Sequence, residues 1–104
     1  MSLKTSNQQF WAEYQSYNTF NEVNKTVTFQ ADIYTNYNGF LKIYSYAGSY
    51  IVASTTVPAN IHDTYSITTI IPNNATVIRY RVEPRDYIHN DSFCYTDNWR
   101  LIFQ

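Results

Sequence analysis

The segment from Thr26 to Tyr34 alternates polar and apolar side chains without exception, and this alternation restricts the fold more than any other feature of the chain. Successive side chains of a β-strand point to opposite faces, so a period of two predicts a strand with one buried face and one face in water. The apolar face would be formed by Val27, Phe29, Ala31 and Ile33. The chain is therefore expected to contain a sheet that packs one side on a core.

Five further segments after this one have the composition of strands. β-Branched and aromatic side chains fill them, and proline, asparagine and aspartate separate them. The predicted strands are Phe40–Tyr46, Tyr50–Thr56, Thr64–Ile71, Thr76–Glu83 and Phe93–Phe103, the last one interrupted near Asp97. Nearer the start, alternation from Phe10 to Gln15 predicts one or two strands, and a short helix over residues 8–15 is the alternative.

The segment Asn36-Tyr37-Asn38-Gly39 separates the first two predicted strands. Asn and Gly adopt positive φ more readily than other residues, and tight hairpin turns require positive φ. The sequence therefore predicts that residues 26–34 and 40–46 pair with each other as a hairpin.

The residue composition favours an all-β protein. The 104 residues include eleven Tyr, twelve Thr and ten Ile but only three Leu and three Glu. Leu and Glu favour helices, whereas β-branched and aromatic residues fit a pleated sheet. Residues 1–104 suffice for one core and contain no linker, so we predict a single module, a two-sheet antiparallel β-sandwich of jelly-roll type. Its predicted core comprises Val27, Phe29, Ile33, Leu41, Ile43, Ile67, Ile78, Tyr80, Val82, Trp99 and Leu101.

The charge balance argues against two classes of partner. Seven Lys and Arg face eight Asp and Glu, for a net charge of −1, so an electrostatic partnership with nucleic acid is not expected. No apolar run approaches the ~20 residues that span a bilayer, so membrane insertion is not expected either. The single cysteine, Cys94, excludes an internal disulfide.

Catalytic residues are not arranged in any recognisable motif. A nucleophilic pair of Cys94 and His89 is conceivable, but a lone cysteine beside aromatic residues is usually a small buried hydrophobe. A glycosidase needs two carboxyl groups across a cleft, and nothing in the sequence brings two of Glu13, Glu22 and Glu83 together. The chain is therefore predicted not to be an enzyme.

The surplus of tyrosine is the strongest positive signal for function. Several tyrosines fall on the polar faces of the two strands of the predicted hairpin, where a ring can stack on the C–H face of a sugar while polar neighbours bind its hydroxyls. The alternative is that these rings only stabilise the sheet through cross-strand pairs. The predicted ligand-binding residues are Tyr34, Tyr44 and Tyr46, with Lys42 and Asp32 as hydrogen-bonding partners and Arg79 and Arg81 as an extension if their strand lies in the same sheet.

The chain resembles a known family in three stretches. Residues 23–34 resemble the strand that opens many carbohydrate-binding modules of the galactose-binding-like jelly-roll class. Residues 64–80 are similar to their paired strands around an Ile-Pro-x-Asn-Ala turn, and residues 95–101 resemble their closing aromatic-x-Asp-Asn-x-x-Leu strand. The opening Asn-Gly-x-Phe-Glu strand of the class is absent from this sequence. Such modules also occur on bacteriophage tail and baseplate proteins.

The resemblance carries expectations about ligands and location. In some members of the class, the acid at the position of Asp97 contributes to a structural calcium site, and the oxygen-rich segment His89-Asn90-Asp91 lies close by in the sequence. The expected function is non-catalytic binding of a saccharide or cell-surface glycan, as part of a parent protein or assembly outside the cell, at a cell surface or on a virion. The alternative is a structural β-sandwich of a viral tail or capsid, with the tyrosine face as a protein–protein interface.

Overall fold

Eight β-strands make up the computed structural model, which describes residues 12–16, 21–45, 50–84 and 91–104 and the backbone of residues 3–6. In chain order they are β1 Leu3–Ser6, β2 Ala12–Ser16, β3 Thr26–Thr35, β4 Gly39–Ser45, β5 Tyr50–Val57, β6 Asp63–Ile70, β7 Ile78–Glu83 and β8 Phe93–Phe103. Residues 12–15 are thus extended, and the helix considered for that stretch is wrong there. The described segments contain no helix of the length and apolarity needed to cross a membrane.

The strands form two four-stranded sheets in which all pairs are antiparallel. Sheet I has the strand order β1-β8-β3-β6, and sheet II has the order β2-β7-β4-β5. The long central strand β3 pairs with β6 on one side and with β8 on the other. This arrangement confirms the predicted two-sheet antiparallel sandwich.

The core lies between the two sheets and consists mostly of residues expected from the alternation, joined by Val57 and Ala75 from outside the predicted strands. Phe29 of sheet I contacts the ring of Tyr80 of sheet II edge-on, with 5.5 Å between ring centroids, and contacts Trp99 at 5.2 Å. The hydroxyl of the buried Tyr80 donates a hydrogen bond to the Glu22 carboxylate, so its polar end is satisfied. Of the predicted core residues, all are buried except Trp99 and Leu101, which are half-buried and pack against the others.

The predicted hairpin between residues 26–34 and 40–46 is wrong. Strands β3 and β4 lie in different sheets, and the three-residue connection 36–38 carries the chain from one sheet to the other. Side chains in this connection bind other parts of the chain. Asn36 accepts a hydrogen bond from the backbone N–H of Phe93 at 2.7 Å, and Asn38 accepts one from Ala59 at 3.0 Å. These two bonds hold the connection across one end of the sandwich.

Gly39 is required for close packing and not for a positive φ. The residues of the described chain with positive φ are Asn24, Asn60 and Asn98. Gly39 does not have a positive φ. A Cβ atom at position 39 would overlap with the carbonyl oxygen of Glu83 and would approach Cγ2 of Thr35 to 2.9 Å. The backbone of β4 can therefore reach β7 at this point only without a side chain.

Replacing Gly39 by alanine should destabilise the protein by about 1–3 kcal/mol, the usual cost of forcing an extra group into a packed interior. The overlap is with a backbone carbonyl, which cannot rotate away as a flexible side chain could. Urea unfolding followed by tryptophan fluorescence measures the effect, with Ser54→Ala, an exposed change on the neighbouring strand β5, as the control. Equal unfolding midpoints for both variants would show that the backbone shifts at no cost.

Candidate functional site

The structure separates the predicted ligand-binding residues into two groups. Asp32 and Tyr34 lie on the outer face of sheet I, whereas Lys42 and Tyr44 lie on the outer face of sheet II. Tyr46 lies outside the described residues. A single site that contains both Tyr34 and Tyr44 is therefore not formed, because the core of the sandwich lies between them.

On sheet II the register brings the second group together with the two predicted arginines. Lys42 of β4 is the cross-strand partner of Arg81 of β7, and Tyr44 is the partner of Arg79. Glu13 of β2 pairs with Arg81 from the other side. Paired residues of antiparallel strands share a face. We call this surface the Tyr44 face; its residues are Glu13, Gln15, Phe40, Lys42, Tyr44, Arg79, Arg81 and Glu83.

Two ion pairs of the Tyr44 face are sheltered from water. The Lys42 Nζ atom lies 2.9 Å from Oε2 of Glu83, and the Arg81 guanidinium contacts the Glu13 carboxylate. Although these side chains point away from the core, that of Lys42 is only 15% exposed and that of Glu83 is fully buried. Gln15 also donates a hydrogen bond to Glu13. Fixed, paired charges with so little exposure to water are preorganised hydrogen-bonding groups.

Lys42 stays protonated in this setting. Burial on its own would lower the pKa of Lys42, but the hydrogen bond and attraction of Glu83 and the contact with Tyr44 outweigh burial and raise the pKa above its ordinary value of 10.5. The ammonium group therefore donates hydrogen bonds at every physiological pH.

Two aromatic rings lie among these charges. The Arg81 guanidinium lies 4.3 Å from the centroid of the Tyr44 ring, and the Lys42 Nζ atom lies 4.5 Å from that of Phe40. Lys42 also donates to the Tyr44 hydroxyl at 3.5 Å. These cation–π contacts fix the orientation of both rings. Phe40 was not among the predicted site residues, although it lies two residues before Lys42 in β4 and therefore points to the same face as Lys42 and Tyr44.

The residues on sheet I form a separate polar cluster. The Asp32 carboxylate accepts hydrogen bonds from the Thr64 hydroxyl at 2.6 Å and from the Asn98 amide at 2.8 Å. Tyr34 donates its hydroxyl to Asn60 at 3.2 Å. Asp97, the residue expected at a calcium site, is the cross-strand partner of Asp32. The described side chains contain no group of three or more His, Cys, Asp or Glu residues that could hold a metal ion.

Cys94, the candidate nucleophile, is buried within the core cluster. His89, which was considered as its base, lies outside the described residues, and the described histidine, His62, is exposed on the loop before β6. A thiol buried among apolar side chains has a disfavoured thiolate and is a poor nucleophile. The position of Cys94 therefore agrees with a packing role.

The eight strands in two antiparallel sheets define a β-sandwich of the jelly-roll type, the fold of several families of carbohydrate-binding modules. The chain is similar to a family 4 carbohydrate-binding module, with 16% identity and a TM-score of 0.67 over 88% of this chain and 59% of that one. It is also similar to the family 22 xylan-binding domain of Xyn10C from Paenibacillus barcinonensis, with 16% identity and a TM-score of 0.60 over 96% of this chain and 76% of that one. No protein-family model and no curated protein matches the sequence.

A third similar structure is a family 29 carbohydrate-binding module carrying the change D114A, with 8% identity and a TM-score of 0.51 over 99% of this chain and 92% of that one. A fourth contains a family 22 module joined to a xylanase of Clostridium thermocellum, complexed with xylohexaose, with 13% identity and a TM-score of 0.52 over 84% of this chain and 18% of that one. At identities this low, the structural similarity establishes a shared fold and nothing more.

Proposed function

We propose that the chain is a non-catalytic carbohydrate-binding module and that the Tyr44 face receives the saccharide. The observation that carries this proposal is the row of sheltered, mutually paired charges around two fixed aromatic rings on the outside of sheet II. A purely structural sheet face has no need of such groups, because exposed threonine and serine satisfy a strand at lower cost, as they do on β6.

The chemistry of this face suits a sugar with many hydroxyl groups. Each hydroxyl offers one donor and two acceptor positions, and the face supplies ammonium and guanidinium donors beside the Glu13 carboxylate, while the fully buried Glu83 holds Lys42. The ring of Tyr44 or Phe40 supplies an apolar surface for the C–H bonds of a pyranose. Since Glu83 and Glu13 neutralise Lys42 and Arg81, these two ion pairs do not attract an acidic sugar. A neutral saccharide is the ligand that fits best.

The comparisons suggest which neutral saccharide to test first. Two of the similar structures are described as a xylan-binding domain and as a complex with xylohexaose. We therefore take β-1,4-linked xylose oligomers as the first candidate ligand. In keeping with the family 22 module that is joined to a xylanase, we place this chain outside the cell, as a module that holds a parent protein on a polysaccharide.

Replacing Tyr44 by alanine should weaken binding of xylohexaose at least about fivefold, because stacking on one ring contributes about 1–2 kcal/mol and Arg81 loses the ring that orients it. Isothermal titration calorimetry measures the dissociation constant, which we expect in the micromolar to millimolar range for the parent. Tyr50→Ala is the matched control, because Tyr50 is 44% exposed and is the cross-strand partner of the buried Ser45, which points to the opposite side of sheet II from Tyr44.

The same pair of variants tests the alternative that the face is a protein–protein interface. In light scattering, a module that binds sugar through this face should be monomeric with or without Tyr44. A dimer in the parent that dissociates only in Tyr44→Ala would favour an assembly role, and unchanged sugar binding by a folded Tyr44→Ala would move the saccharide site elsewhere.

A further inference from the structure

A groove crosses the outer face of sheet I, on the opposite side of the sandwich from the Tyr44 face. It consists of a pocket of about 100 Å³ and an adjoining open pocket of about 520 Å³, and both are bordered by Asp32. The larger one falls within the ~300–1,000 Å³ typical of small-molecule sites. We call this surface the Tyr95 groove; its lining residues are Gln30, Asp32, His62, Tyr95, Thr96, Asp97, Asn98, Trp99 and Arg100.

A β-bulge in β8 is the structural cause of the groove. Arg100 pairs with Gln30 and Asp97 pairs with Asp32, so two residues of β8 lie opposite Ala31 alone. Asn98, one of these two, has a φ of 52°. A bulge bends its strand and re-aims the neighbouring side chains, and bulges are enriched next to functional sites. Here it separates Arg100 from Asp97 and leaves room between them.

The polar groups of the groove are held in place and have unused hydrogen-bonding capacity. A carboxylate has about four acceptor positions, and Asp32 uses one for Thr64 and one for Asn98. The hydrogen bond from Asn98, and then that from Thr64, lower the pKa of Asp32 below its ordinary value of 3.8, so the group is an acceptor at neutral pH. Arg100 and Gln30 bring donors to the same pocket.

An aromatic row borders the groove. Tyr95 is 46% exposed, and its ring meets the edge of Phe93 at 81° with 5.5 Å between the centroids. Tyr34, the cross-strand partner of Tyr95, lies 6.5 Å from the same phenylalanine. At the other end, the Trp99 indole N–H donates to the Thr96 hydroxyl at 2.6 Å. The exposed ring of Tyr95 is therefore braced from behind and offers its surface to a ligand.

We infer that the Tyr95 groove is a second saccharide-binding site, independent of the Tyr44 face, and that it takes a neutral sugar chain. Ring stacking on Tyr95 and hydroxyl contacts with Asp32, Arg100 and Gln30 would provide the recognition. Asp32 and Asp97 are cross-strand neighbours, and the acidic group of a uronic acid or a sulfated sugar placed beside these two carboxylates would meet like charge. A module with a site on each sheet would bind two chains, or two parts of one chain.

The experiment is a titration of the isotopically labelled intact chain with xylohexaose, cellohexaose and mannohexaose, followed by two-dimensional NMR. With at least one of the three, the backbone amides of residues 95–100 should shift in the parent protein. Tyr95→Ala should weaken this binding at least fivefold and leave any shifts on the Tyr44 face unchanged. Tyr50→Ala, which removes a ring of similar exposure, should change neither set of shifts.

The remaining outcomes also decide for or against a second site. Shifts at 95–100 that disappear in a folded Tyr44→Ala variant would mean one site and would overturn the inference, as would the absence of shifts at 95–100 with all three oligosaccharides. If CaCl₂ alone shifted the signals of these amides and none of the sugars did, the groove would be a cation site, and the inference would again be overturned. Shifts at the groove without any on the Tyr44 face would support the second site while refuting the proposed function of sheet II. Asp32→Asn preserves the shape of the side chain and removes the charge of a proposed contact, so it should also weaken binding at 95–100; a loss in both variants is then due to binding and not to misfolding of Tyr95→Ala.

Discussion

Replacing Phe29 by alanine should lower the free energy of unfolding by about 3–5 kcal/mol. Phe29 is fully buried in the centre of β3, and its ring contacts both Tyr80 of the opposite sheet and Trp99 of its own sheet. Its removal leaves a cavity between the sheets that rigid β-strands can fill only in part. For a chain of this size, a loss of this magnitude is a large share of the total stability.

Urea unfolding at 25 °C, followed by fluorescence, measures the loss. Thr28→Ala is the matched control, because Thr28 is the next residue of the same strand and points to the outer face, where its hydroxyl meets that of Thr68. Thr28→Ala should cost much less than Phe29→Ala. A Phe29→Ala protein that unfolds at the urea concentration of the parent would show that β3 is shifted by one residue, since such a shift exchanges its two faces.

Replacing Lys42 by methionine should destabilise the fold by about 3–5 kcal/mol, because the change leaves the buried Glu83 carboxylate without its counter-ion. The Oε1 atom of Glu83 has no hydrogen-bond partner among the described residues, and Lys42 is the ion-pair partner that these residues give the carboxylate. Lys25→Met, at an exposed lysine, is the control and should have little effect.

The double variant Lys42→Met with Glu83→Leu should recover most of this loss, because replacing both charges of a buried pair by apolar groups is often neutral or stabilising. Free energies of unfolding for the parent, the two single variants and the double variant form a thermodynamic cycle that isolates the coupling between the side chains. Additive effects of the two changes would mean that the pair contributes no coupling energy. The stabilisation by Lys42 should be complete below pH 10.5 and should fall as the pH rises through the raised pKa of the folded state.

Alternation was enough to place strands β3 to β8 and the buried faces of β3, β4, β6 and β7, but it left the register of β5 open and did not predict β1. The segment from Val27 to Ile33 shows why: every second residue is apolar, and each of these residues is buried between the sheets. The prediction of which strand pairs with which failed at the connection 36–38, because hairpin propensity is a local property. Asn36 and Asn38 are held in this connection by hydrogen bonds that the backbone N–H groups of Phe93 and Ala59 donate, and both donors are remote in sequence.

The candidate site was only partly predictable for the same reason. Lys42 and Tyr44 could be assigned to an outer face from β4 alone, and the two arginines of β7 joined them because β4 and β7 pair. Glu13 and Glu83 could not be included, since nothing in the sequence shows that β2 and β7 are neighbours or that Glu83, at the end of β7, reaches Lys42. Pairing between distant strands fixes the site, and no local pattern encodes it.

The order of strands in the two sheets has a consequence for how the chain assembles. Among the described strands, only β4 and β5 are both consecutive in sequence and paired. Each other pairing must first close a long loop, and the entropy of closure is lost before any contact forms, so folding in milliseconds to seconds is expected. In sheet I, β1 and β3 are both bonded to β8, the last of these strands to leave the ribosome. Until β8 arrives, β3 presents an unpaired edge, and this interval is when the nascent chain is most prone to aggregate.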